Sequence, residues 1–231
     1  MITIVLFIFA MVGFAYWWLW RQRVLDKPWA ELGPELDTRE EIGRISSAAK
    51  TGLMFFLAVV TSVFALFISA YFLRMELPDW SPVMKPEVLW INTGLLVLGS
   101  GAIHWCSKAA ASNNLRAVQV SLFATGLFTF TFIYGQLMAW GQLNDEGYYL
   151  NSNPANAFFY LFTGLHALHL LGGLWVWSRT TLRVLAGVEL EEVRLSVELC
   201  RTYWHYLLGV WIVLFGMLLF SVFQLKKNPT A

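Results

Sequence analysis

Residues 154–180 read PANAFFYLFTGLHALHLLGGLWVWSRT, and residues 198–220 read ELCRTYWHYLLGVWIVLFGMLLF. A helix that crosses a bilayer needs about 20 predominantly apolar residues, and each stretch supplies them. Together they hold three of the chain's four histidines. His166 and His169 stand three residues apart, on one side of a helix. His205 sits just inside the entrance of the next segment. Ionisable groups at membrane depth are costly, so their presence points to function. Between the two segments, Leu190, Val193, Val197 and Cys200 recur at helical spacing. The last helix is therefore predicted to begin well before the membrane.

The rest of the chain repeats this character. Of 231 residues, 58% are hydrophobic and 13% charged, whereas a soluble domain carries about a quarter charged residues. Further apolar spans are predicted at 2–20, 51–72, 88–105 and 115–140, with spans at 155–177 and 203–225 completing six. The first opens Met-Ile-Thr-Ile with Arg21 and Arg23 after it. A secretory signal has the reverse order, so 1–20 is read as a retained anchor, with a cleaved signal as the alternative. Residues 21–50 form the one long polar stretch, read as a loop with a short surface helix starting near Asp37-Thr38-Arg39-Glu40-Glu41. Asn153-Pro154 signals a helix start. The net charge of +1 and the lack of a basic stripe exclude an electrostatic nucleic-acid binder. Cys106 and Cys200 form no C-x-x-C pair, and no disulfide is expected.

Basic residues set the orientation. Only Arg74, Lys85, Lys226 and Lys227, of 16 Lys and Arg, fall on one side of the predicted spans. The sequence thus predicts an all-α integral membrane protein, a bundle of about six transmembrane helices with both termini on the outer side.

Two motifs carry a family resemblance. Thr163, Gly164, His166, His169 and Gly173 match T-G-x-H-x-x-H followed by glycine. Glu198 stands seven residues before the histidine of Tyr203-Trp204-His205. In that order, on consecutive spans, the pair resembles subunit III of the haem–copper oxidases, the cytochrome c oxidase family. The F-V-D that often follows Y-W-H in that family is replaced by Tyr206-Leu207-Leu208. Residues 135–140 look like a glutamine-and-aromatic helix end of the shorter bacterial members. The likeness extends back to about Lys50, giving three parts: the anchor 1–20, a cytoplasmic loop 21–50 and a subunit III-like five-helix domain 51–225.

The resemblance implies a subunit without a redox centre, packed against catalytic subunit I, with subunit II in the same complex. The haems and copper would belong to those partners, and this chain would hold ordered phospholipid in a cleft. The complex would reduce oxygen to water with electrons from cytochrome c or a quinol, in a bacterial inner membrane. Family members often carry a glutamate in the helix after Lys50. Here the stretch is Ala58-Val59-Val60-Thr61, and a proton-buffering role loses its group.

No Asp, Glu, Lys or Arg falls deep in any predicted span, although proton and ion pathways normally use such groups. A bis-histidine haem needs facing imidazoles. At 1.5 Å per residue His169 lies roughly 14 Å from the inner end of its helix and His205 only about 3–5 Å in. Neither cofactor nor metal is expected in this chain. Gly164, Gly172 and Gly173 make the TGxHxxH face a helix-packing seam. Glu198, Arg201, Trp204 and His205 gather near the inner surface, where an Arg/His/Trp cluster suits a phospholipid head group. The plainer reading is a surface pair between Glu198 and Arg201, of little energetic weight. Two other functional classes fit the pattern: a subunit III-like partner of a nitric oxide reductase, and an independent haem-binding membrane protein.

Overall fold

The computed structural model describes residues 38–81 and 87–227, with side-chain environments for 48–81 and 87–220. Residues 1–45 and 46–231 form two units, and the packing described below belongs to the second. Among the described residues five helices follow in order: α1 (Thr38–Met75), α2 (Val88–Ala111), α3 (Leu115–Asp145), α4 (Pro154–Leu185) and α5 (Leu190–Lys227). All five are long and apolar enough to cross a membrane, α1 from Ala48 and α5 as far as Phe220. The predicted span at 2–20 and most of the loop at 21–50 lie outside the described residues.

Helices suit this setting because every internal backbone group is satisfied within the segment. Their starts are written locally. Asn153 accepts from the Ala155 amide at 3.0 Å with Pro154 in the first turn, as the sequence predicts. Asn114 caps α3 by accepting from the Ala117 amide at 3.1 Å. The α2–α3 turn needs only Ser112 to Asn114, with Asn113 in the left-handed region at φ 54°. Asparagine tolerates that region better than most residues. One helix differs from expectation and another matches it. α1 starts at Thr38 and runs unbroken into its span, so the predicted surface helix and the predicted span are one element. α5 starts at Leu190, and Val193, Val197 and Cys200 are buried, as their spacing predicts.

α2 packs closely on α3 and α5, and α4 on α5 and α3. Small residues permit the approach: an added Cβ on Gly126 would meet Trp177 at 2.4 Å, and one on Gly99 would meet Phe128 at 3.5 Å. Indole N–H groups then stitch the helices together. Trp211 of α5 donates to Thr93 of α2 at 3.0 Å, Trp204 of α5 to Thr129 of α3 at 3.3 Å, and Trp140 of α3 to Thr163 of α4 at 3.0 Å. Each threonine donates its own hydroxyl to the carbonyl four residues earlier. It thus satisfies its helix and accepts from a neighbour at once. Such bonds contribute about 0.6–2 kcal/mol each in lipid.

α1 is different. Among the described residues it makes no comparably close backbone approach to another helix, and it meets α4 and α5 through Val60, Phe64, Tyr71, Phe162, Leu214 and Met217. Its far end is tied down by the turn that follows. Arg74 donates to Asp79 at 2.6 Å, and Trp80 stacks edge-on to Tyr71 at 4.9 Å. The Arg74 hydrogen bond holds the exposed Asp79 carboxyl below its ordinary 3.8. Asn153 donates to Ser81 at 2.6 Å, joining this turn to the start of α4.

Candidate functional site

The α4–α5 contact is built from the two sequence motifs. Gly173 lies under the rings of Tyr203 and Trp204: an added Cβ would come within 2.8 Å of the first and 3.2 Å of the second. The Tyr203 hydroxyl donates to the His169 carbonyl at 2.9 Å. Thr163 accepts the Trp140 N–H, and a Cβ added to Gly164 would lie 4.0 Å from the same indole. On this face Gly164 and Gly173 lie against α3 and α5, whereas Gly172, expected in the same seam, meets no atom within 4 Å.

The two histidines of α4 turn to different surroundings. His166 is fully buried, beside the rings of Phe132 and Trp211. His169 lies between Phe56 and Phe64 of α1, its Nδ1–H donating to the Leu165 carbonyl at 2.7 Å. His205 faces neither. Its Nδ1 meets the Ser100 hydroxyl, and its Nε2 lies 3.3 Å from Nδ1 of His104. No pair of imidazoles opposes across a gap that could hold a haem iron. Among the described residues no three His, Cys, Asp or Glu side chains converge.

Glu198, Arg201 and His205 share one face of α5, at positions i, i+3 and i+7. Helices α1 and α2 flank it. On the α1 side Lys50 pairs with Glu198 at 3.0 Å, and Thr61 hydrogen-bonds Tyr206 at 2.9 Å. On the α2 side Arg201 donates to Ser107 at 3.2 Å, above which stand His104 and Ser100. Two expectations change. Glu198 takes Lys50 as its ion partner, in place of Arg201. Trp204 does not join the surface cluster: it is 2% exposed, turned inward by its bond to Thr129 and its fit over Gly173. The sequence reading did not group Lys50, Ser107, Ser100 and His104 with these residues. Ser100 and His104 stand one turn apart on α2, which is the signal that could have found them.

Because α1 stands off, it leaves apolar space against the bundle. One cavity of about 330 Å³ is lined by Leu53 and Phe56 of α1, Gly172 and Gly173 of α4, and Cys200, Tyr203 and Trp204 of α5. A second, of about 350 Å³, lies between Thr61, Phe64 and Ile68 of α1 and Tyr206, Val210 and Leu214 of α5. Trp204 thus contributes to a cavity wall. The Lys50–Glu198 pair stands at the end of α5 nearest the first cavity.

The family model described as cytochrome c oxidase subunit III matches residues 41–222. The chain belongs to the cytochrome c oxidase subunit III family. The match starts somewhat earlier than the likeness to Lys50 predicted. Cytochrome c oxidase subunit 3 of Synechocystis sp. is 29% identical over 170 residues, covering 71% of this chain and 72% of the relative. That of Thermostichus vulcanus is 28% identical over 178 residues, covering 72% and 84%. That of Arabidopsis thaliana is 26% identical over 141 residues, covering 59% and 52%. With five apolar helices, this is a multi-pass membrane protein of the respiratory oxidase, a complex that implies other oxidase subunits as partners.

Proposed function

We propose that the chain is the non-catalytic third subunit of a proton-pumping haem–copper terminal oxidase. It braces catalytic subunit I, in a complex that includes subunit II, and holds phospholipid between α1 and the other helices. The observation that carries this reading is the stand-off of α1. Its two apolar cavities accept acyl chains, and Arg201, His205 and the Lys50–Glu198 pair offer a polar mouth for a head group. The Lys50–Glu198 pair bridges α1 and α5, the two helices that also line both cavities. The haems and copper would reside in the partners, and oxygen reduction would take place there. Membership of the family and the bacterial relatives support a bacterial inner membrane as the location.

Three measurements follow from this reading. Phospholipid retained by the purified complex, counted by mass spectrometry, falls in the Arg201→Ala variant, since a basic residue near an anionic surface contributes about 1 kcal/mol. Unchanged lipid would reduce the α5 face to ordinary surface polarity. The chain expressed alone is colourless, because His166, His169 and His205 look in three directions; a stoichiometric Soret band would favour a haem protein instead. A reporter active only in the cytoplasm gives no signal when fused after Ala231. Strong fluorescence there would overturn the six-helix arrangement with both termini outside.

A further inference from the structure

Inside the four-helix part of the bundle lies a polar layer for which the lipid cleft does not account. Asn92 of α2, Gln136 of α3 and His166 of α4 are 1%, 2% and 0% exposed. Among the described residues, both ends of each amide and both imidazole nitrogens have no hydrogen-bond partner. Contacts place the three at one level. Gly135, next to Gln136, faces Asn92 so closely that a Cβ would meet its Oδ1 at 2.2 Å. Trp211 donates to Thr93, the neighbour of Asn92, and its ring lies 5.2 Å from that of His166. Phe132, one turn before Gln136, lies 6.0 Å from the same imidazole. The layer therefore draws on all four helices α2 to α5.

We propose that Asn92, Gln136 and His166 form a binding site for internal water. Three arguments converge. Buried polar groups are rarely left unpaired, and the cost rises in surroundings without solvent. Neither lipid nor another subunit can supply the partners, because the chain's own helices enclose these side chains. The occupant must be small, and must both donate and accept, since each amide presents N–H₂ and C=O and a neutral imidazole presents one N–H and one lone pair. Water meets those terms, making two to four hydrogen bonds at a buried site. No ionisable side chain other than His166 belongs to the layer, so an ion has no counter-charge there. The water bridges helices and fixes their register.

A high-resolution map of the assembled oxidase tests this. Ordered density within hydrogen-bonding distance of Asn92, Gln136 and His166 is the expected result. Direct bonds among the three side chains, or a dry layer, would overturn the site. Thermal unfolding of Asn92→Leu, Gln136→Met and His166→Phe complexes gives a second test. With a shared water cluster each variant lowers the midpoint, and the triple variant is little worse than the worst single one, because the cluster is lost once. Midpoints that rise with each apolar replacement, and add, would show that the layer is dry.

Discussion

The Gly173→Leu variant is expected to be missing from the purified oxidase, or to unfold far below the unaltered subunit. Gly173 sits where α4 and α5 meet, and even a methyl group there would come within 2.8 Å of the Tyr203 ring. That ring cannot swing aside cheaply. Its hydroxyl is bonded to the His169 carbonyl, and the adjacent Trp204 is held by Thr129. Overpacking a tight contact costs about 1–3 kcal/mol, and parting the helices forfeits both hydrogen bonds as well. Gly173→Ala should show the smaller part of this loss. The fraction of purified complex that retains the subunit, and its thermal midpoint, report the effect. Retention of Gly173→Leu at the unaltered level would contradict the seam.

The neighbouring Gly172→Leu should do the opposite. A Cβ there meets no atom within 4 Å, and the residue lines the cavity of about 330 Å³ between α1, α4 and α5. The helices have no reason to move, so assembly and thermal midpoint are expected to stay close to the unaltered values. The added side chain instead occupies space assigned to an acyl chain, and bound phospholipid should fall by most of one molecule per complex. A normal lipid content would show that this cavity is not the site. Adjacent glycines with opposite outcomes separate the packing role of α4 from its lipid role.

How far the sequence reaches is visible in particular residues. Uninterrupted apolar runs and the Asn153-Pro154 start were enough for the helices, because lipid leaves few alternatives to a helix. The early start of α5 was legible from the spacing of Val193, Val197 and Cys200. The continuity of α1 was not: the charges at 39–44 resemble a solvated surface helix, although no proline separates them from the span. At the site, helical spacing was legible and the partners of each side chain were not. Helical spacing put Glu198, Arg201 and His205 on one face correctly. Which neighbour each would meet depended on helices up to 148 residues away, as with Lys50. Trp204 was misread because an indole near a membrane surface reads as an interfacial anchor, whereas here a threonine on α3 and a glycine on α4 draw it inward.

The central claim is that the chain guards its partner by holding lipid and takes no part in the chemistry. Oxygen consumption by the assembled complex, followed through sustained turnover in Arg201→Ala and His205→Ala variants, tests it most directly. The account predicts an initial rate equal to that of the unaltered enzyme, then faster decay, accompanied by lower phospholipid content. An initial rate that collapses at once would place these residues on a proton path instead. Decay and lipid content unchanged in both variants would contradict the protective role altogether.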